Sequence, residues 1–170
     1  MRNVTEISDD DSGGGYAWYV VAVLTFAYMV SFIDRQILSL LVQPIKRDLG
    51  VTDTEIGLLA GFAFAIFYSV LGVPIARLAD RTNRKILISV GVVFWSLMTA
   101  ACGLTKTFWH LFLARVGVGV GEATLSPAAY SMMADYFPPN KLARAIGVYA
   151  MGLYIGAGIA LLTGLSLIHI

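Results

Sequence analysis

Four charged residues stand where long apolar runs make charge costly: Asp34 and Arg35 in one run, Arg115 and Glu122 in another. The second pair lies in RVGVGVGEA, residues 115–123, inside an apolar stretch from Phe108 to about Met133. Arg115 and Glu122 are close to two helical turns apart, so both project from nearly the same face, roughly 10 Å apart along the axis. An ionisable residue at that depth costs at least ~2.5 kcal/mol and marks a functional site, normally one that looks into a protein-lined, wet interior. Carboxylates in such a place can exchange protons. Guanidinium groups can hold an anion, or keep the carboxylates charged.

The elements that must position these groups follow from composition. The chain has 170 residues, is 58% hydrophobic and only 14% charged, with a mean hydropathy of +0.75. Soluble domains carry nearer ~25% charged residues, so an all-α, multi-pass membrane protein is expected. Five apolar stretches, near 16–42, 54–76, 86–105, 108–133 and 143–164, are long enough to cross ~30 Å of hydrocarbon as helices. Tyr16, Trp18, Tyr19, Phe108 and Trp109 mark interfaces. The first fifteen residues, MRNVTEISDDDSGGG, lack the basic lead-in of a signal peptide and read as a disordered tail. A net charge of +1 gives no sign of a nucleic-acid partner, and Cys102 has no second cysteine to bridge. No cofactor and no metal site is expected.

Basic residues in the connections set the orientation. Arg2, Arg77, Arg81, Arg84, Lys85, Lys141 and Arg144 fall on one side, and Lys46, Arg47 and Lys106 on the other. The richer side faces the cytoplasm, so the N-terminus is expected there, in the cell (plasma or cytoplasmic) membrane. Asp34, Arg35 and Arg115 then share a depth about 10 Å inside the outer boundary, with Glu122 near the midplane. The four charges sum to zero, and they can neutralise one another if the first and fourth helices meet.

Other features carry structural readings. In VTDTEIGLLAG, Thr52 or Asp53 suits a helix cap with Glu55 in a capping box, and Asp53 is a candidate external gate. Gly57 and Gly61, and likewise Gly152 and Gly156, are spaced four apart, which permits close helix approach. The alternating Gly117, Gly119 and Gly121 lack the strand-turn-helix context of a nucleotide loop and read as small-residue packing. Pro127 is placed to break or kink its helix. His110, at an aromatic-rich helix entrance, reads as interfacial. Asp80 stands among basic residues in ARLADRTNRK and could latch one conformation from a helix end.

These residues resemble the major facilitator superfamily, above all its Spinster-like members. The superfamily's loop between helices two and three follows G-x-x-x-D-R-x-G-R-K; here Ala76 and Asn83 stand in place of the two glycines. LADRTNRK, the Asp34-Arg35 pair and RVGVGVGEA on helix four fit the same group, over about residues 16–164. The resemblance implies the N-terminal part of a twelve-helix alternating-access transporter with inverted repeats, in which helices one and four are equivalent. It assigns Asp34 and Glu122 to proton coupling, and Arg35 and Arg115 to an anionic or zwitterionic substrate. Asp80, with Arg81, Arg84 and Lys85, would form the cytoplasmic loop motif that latches the outward-facing state against the second half, a small-molecule substrate and protons being the other partners. A substrate that draws Arg115 away from Glu122 would let that carboxylate take a proton.

The last six residues, LSLIHI, match the translation of a transposon-end adapter from sequencing-library preparation. Residues 165–170 are therefore expected to be adapter-derived, with the natural chain continuing into a missing C-terminal half, and His169 carries no functional reading. A transporter of an organic anion or amphiphilic lipid-like solute is the leading reading. Drug efflux, or a non-transporting sensor or receptor on the same fold, is the alternative. An enzyme is not expected, since no serine, histidine and aspartate converge at one depth.

Overall fold

A computed structural model describes residues 14–168, including the side chains of all but Phe64, Asp80 and residues 165–168. The tail expected over 1–15 and the His169 position thus lie almost wholly outside the described residues. What is described is helical, with no strand among the described residues.

The first apolar stretch forms α1 (Gly15–Leu40) and then a short α2 (Val42–Leu49). Pro44 explains the break at Leu41: it has no N–H to donate to the Leu40 carbonyl, and its ring crowds that carbonyl. Gly50 ends α2 at φ 63, a left-handed conformation that favours glycine. The next helix begins as α3 (Asp53–Gly57), passes through a π-helical turn (Leu58–Phe62) and continues as α4 (Ala63–Arg81). Thr52 caps it: the Glu55 N–H donates to Thr52 Oγ1 at 3.3 Å, and the Thr52 N–H donates to the Glu55 carboxylate at 2.8 Å.

Then come α5 (Arg84–Cys102), α6 (Phe108–Glu122), α7 (Leu125–Tyr136) and α8 (Pro139–Ile168). Among the described residues four spans, 15–40, 53–79, 84–102 and 139–164, are long and apolar enough to cross a membrane as single helices. The stretch 108–133, read as one helix, is instead two in sequence. Pro127 is again the cause, this time acting on the carbonyl four residues back, at Ala123. Across the break the Thr124 N–H turns to the Gly121 carbonyl at 3.2 Å, and Thr124 Oγ1 donates to the same oxygen at 2.8 Å.

The long helices pack in two groups that share α7. α1 lies along α8, and α6 is flanked by α4 and α5. Small residues let the helices approach. A side chain at Gly152 would meet the Thr25 carbonyl at 2.7 Å, and one at Gly156 would overlap the Met29 carbonyl. At the other seam, Gly117 faces Met98 and Gly121 faces Trp95, each with room for no Cβ. By contrast nothing lies within 4 Å of a Cβ placed at Gly57 or Gly61. The close approach expected at that pair is therefore absent among the described residues. Trp95, Met133, Leu125, Val21 and Tyr149 form the centre of the buried core.

Candidate functional site: two charge pairs between α1 and α6

α1 and α6 bring the four predicted charges together, with partners other than those the sequence suggested. Glu122 is the last residue of α6 and is 1% exposed. Its Oε2 accepts from Ser31 Oγ at 2.7 Å and from Arg35 Nε at 2.7 Å, and Arg35 Nη2 lies 2.6 Å from the same oxygen. Oε1 is buried with no hydrogen-bond partner among the described residues. Arg35, not Arg115, is thus the cation that Glu122 meets. The physical reason is rotation: Ser31 and Arg35 are one helical turn apart on the α1 face that looks at α6. Phe32 and Tyr68 flank the guanidinium, with ring centroids 4.7 and 5.2 Å from Cζ.

Asp34 is one residue earlier, about 100° around the helix, and turns to a different neighbour. Its Oδ2 accepts from Thr99 Oγ1 of α5 at 3.3 Å. Arg115, 5% exposed, lines with it a cavity of about 450 Å³ that also borders Cys102, Leu111 and the α2 residues Pro44 and Ile45. Arg115 acts electrostatically on Glu122 and on Asp34 from there. So the four charges form a tight Arg35–Glu122 pair in the interior, with Asp34 and Arg115 beside a cavity at the α2 end and Arg115 in electrostatic reach of both carboxylates.

The remaining predicted residues lie at the two ends. Lys46 Nζ reaches Asp53 Oδ1 at 2.5 Å, joining α2 to the start of α3. At the opposite end Arg84 pairs with Asp135 of α7 and donates to the Ser131 carbonyl at 3.4 Å. Lys85 Nζ donates to the Tyr16 hydroxyl at 3.2 Å. Arg81 is exposed at the end of α4. Asp80 belongs to the last turn of that helix, and its side chain lies outside the described ones.

Ser31, Thr99, Asp135 and Tyr149 were not anticipated. Ser31 was readable in principle, one turn before Arg35 on the same helix. Tyr149 was not: it is fully buried, stacks on Tyr28 with centroids 4.5 Å apart and shares a hydrogen bond with Ser126 at 3.3 Å. Together these contacts join α1, α7 and α8 below the Arg35–Glu122 pair. Among the described residues no group of three His, Cys, Asp or Glu side chains is arranged to hold a metal.

A multi-helix membrane protein with paired charges between two interior helices is the class this fold and site define. The chain belongs to the major facilitator superfamily, whose family model matches residues 24–170, and it is Spinster-like. It is 46% identical to a bacterial homologue of the human lysosomal transporter Spinster, solved in inward-facing occupied and unoccupied conformations. The TM-scores are 0.84 and 0.85, over 88% and 89% of this chain and 32% of the other. An MFS-type efflux pump of Mycolicibacterium smegmatis is 36% identical, over 91% of this chain and 36% of the relative. The sphingosine-1-phosphate transporter SPNS2 of Mus musculus is 31% identical, over 85% of this chain and 27% of the relative. The chain thus spans about a third of the length of the relatives it matches.

Proposed function

We propose that this chain forms the N-terminal part of a secondary active transporter of the cell membrane, with its N-terminus in the cytoplasm. The full protein moves a small organic anion or an amphiphilic, lipid-like solute by alternating access and couples that movement to protons. The single observation that carries this reading is the Arg35–Glu122 pair, in which one buried carboxylate oxygen gathers all three donor contacts.

The geometry supports a specific order of events. Arg35 keeps Glu122 charged while it is bound to it. An anionic substrate group competes for the guanidinium, and the carboxylate left behind in a low-dielectric site takes up a proton. Glu122 is then neutral, the cation is neutralised by substrate, and the loaded site switches the side it opens to without net charge left uncompensated. Asp34, beside the cavity at the α2 end, is the second coupling carboxylate, held in balance by Arg115. Asp80, Arg81, Arg84 and Lys85 belong to the loop that latches the two halves of the complete transporter.

A Glu122→Gln substitution in the full-length protein tests this in proteoliposomes. Uptake driven by a pH gradient should fall to background while substrate counterflow continues. Undiminished gradient-driven uptake would refute the coupling role. Drug efflux is the second reading, favoured by the similarity to the mycobacterial efflux pump; it predicts export of cationic or neutral amphiphiles that do not compete for Arg35. A non-transporting sensor on the same fold predicts substrate binding without counterflow.

A further inference from the structure

Ser31 and Arg35 both donate to Glu122 Oε2, and they differ in what else they can do there. Arg35 is a donor in every state, since a guanidinium has no acceptor atom. Ser31 carries a hydroxyl, which is one donor and two acceptor lone pairs. Ser31 and Glu122 are each 1% exposed, and Ser31 Oγ lies 2.7 Å from Oε2. Arg35 reaches the same oxygen on a long stem one turn along α1, with Nη2 3.5 Å from Ser31 Oγ. The guanidinium can therefore swing to another anion while α1 stays in place. Ser31, with one short bond to turn about, stays beside the carboxylate.

A protonated Glu122 needs an acceptor for its O–H, because a buried polar group without a partner is costly. The charged and titratable groups that face it are Arg35, Asp34 and Tyr28 from α1 and Arg115 from α6. Tyr68 of α4 lies over the Arg35 guanidinium, and Tyr149 of α8 stacks on Tyr28. The two arginines are donors only, and Asp34 turns to Thr99 of α5. Ser31 can reverse its bond. Its own proton then goes to the carbonyl four residues back, at Ala27, the bond that Thr25 of the same helix makes to the Val21 carbonyl at 2.7 Å.

We propose that Ser31 is a positioning residue for the proton site, donating to Glu122 while Arg35 holds the charged carboxylate and accepting from Glu122 once Arg35 is drawn away and the carboxyl is protonated. Glu122 thus keeps a partner on both sides of the exchange. The consequence for transport rests on the coupling role of Glu122 proposed above, but the contact itself is read without substrate.

Infrared titration of the full-length protein, reconstituted in lipid, reads the carbonyl stretch of protonated carboxyl groups. Glu122→Gln identifies the Glu122 band by its loss. Ser31→Ala should move that band to higher wavenumber, because the protonated carboxyl loses its partner. Ser31→Thr keeps the hydroxyl and should hold the band near its unsubstituted position. A band unmoved by Ser31→Ala overturns the proposal, since Ser31 would then serve the charged form alone. Equal displacement in Ser31→Ala and Ser31→Thr overturns it too, since the hydroxyl would not be the cause. No Glu122 band at any pH overturns both this proposal and the proton-coupling reading. A band indifferent to Ser31→Ala leaves the Glu122→Gln transport result as it stands, and undiminished gradient-driven uptake in Glu122→Gln leaves the band pattern as it stands.

Discussion

At the scale of single residues, a one-position difference in sequence separates two environments. Asp34 and Arg35 are adjacent, yet one turns to Thr99 and the other to Glu122. The presence of the four charges was legible, because apolar runs make any charge conspicuous. The pairing was not, because spacing along α6 says nothing about the rotation of α1 against it. The pair has a clear energetic consequence. Removing one partner of a buried pair costs about 3–5 kcal/mol, because the other charge is left uncompensated. Arg35→Ala should therefore destabilise the full-length protein strongly, and Arg35→Ala combined with Glu122→Gln should recover much of the loss. Thermal unfolding in detergent measures both; an Arg35→Ala protein as stable as the parent would show that Glu122 is not held by Arg35.

At the scale of elements, prolines and glycines decide more than hydropathy does. Pro44 and Pro127 each break a helix at the carbonyl four residues back, so the breaks fall upstream of the residue that causes them. That offset is why 108–133 reads as one helix from its apolar pattern and why α2 went unrecognised as a separate element. Small-residue spacing is equally ambiguous alone. Gly152 and Gly156 meet the α1 backbone, whereas Gly57 and Gly61 have the same spacing and nothing near them among the described residues. A contrast follows within α8. Gly156→Val should drive a branched side chain into the Met29 carbonyl and cost about 1–3 kcal/mol by overpacking. Gly147→Val, where nothing lies within 4 Å, should unfold within a degree or two of the parent. Equal thermal shifts for the two would mean that α1 and α8 do not pack as described.

At the scale of the whole molecule, membrane class and family were legible for different reasons. The class follows from long runs that cannot be solvated. The family rests on three short motifs in order, and the match over residues 24–170 agrees with them. What the motifs leave open is substrate and coupling, which depend on how α1 and α6 face each other and on the remaining two thirds of the relatives' length. The central claim is that substrate and a proton exchange places on one Arg35–Glu122 pair. It is tested most directly by adding a substrate, identified by proteoliposome uptake, to the full-length protein in lightly buffered detergent with a pH indicator. Substrate binding should draw about one proton from solution per transporter, making the medium more alkaline, and the Glu122→Gln protein should draw none. Equal proton uptake by the two proteins, or none by the unsubstituted one, would contradict the account.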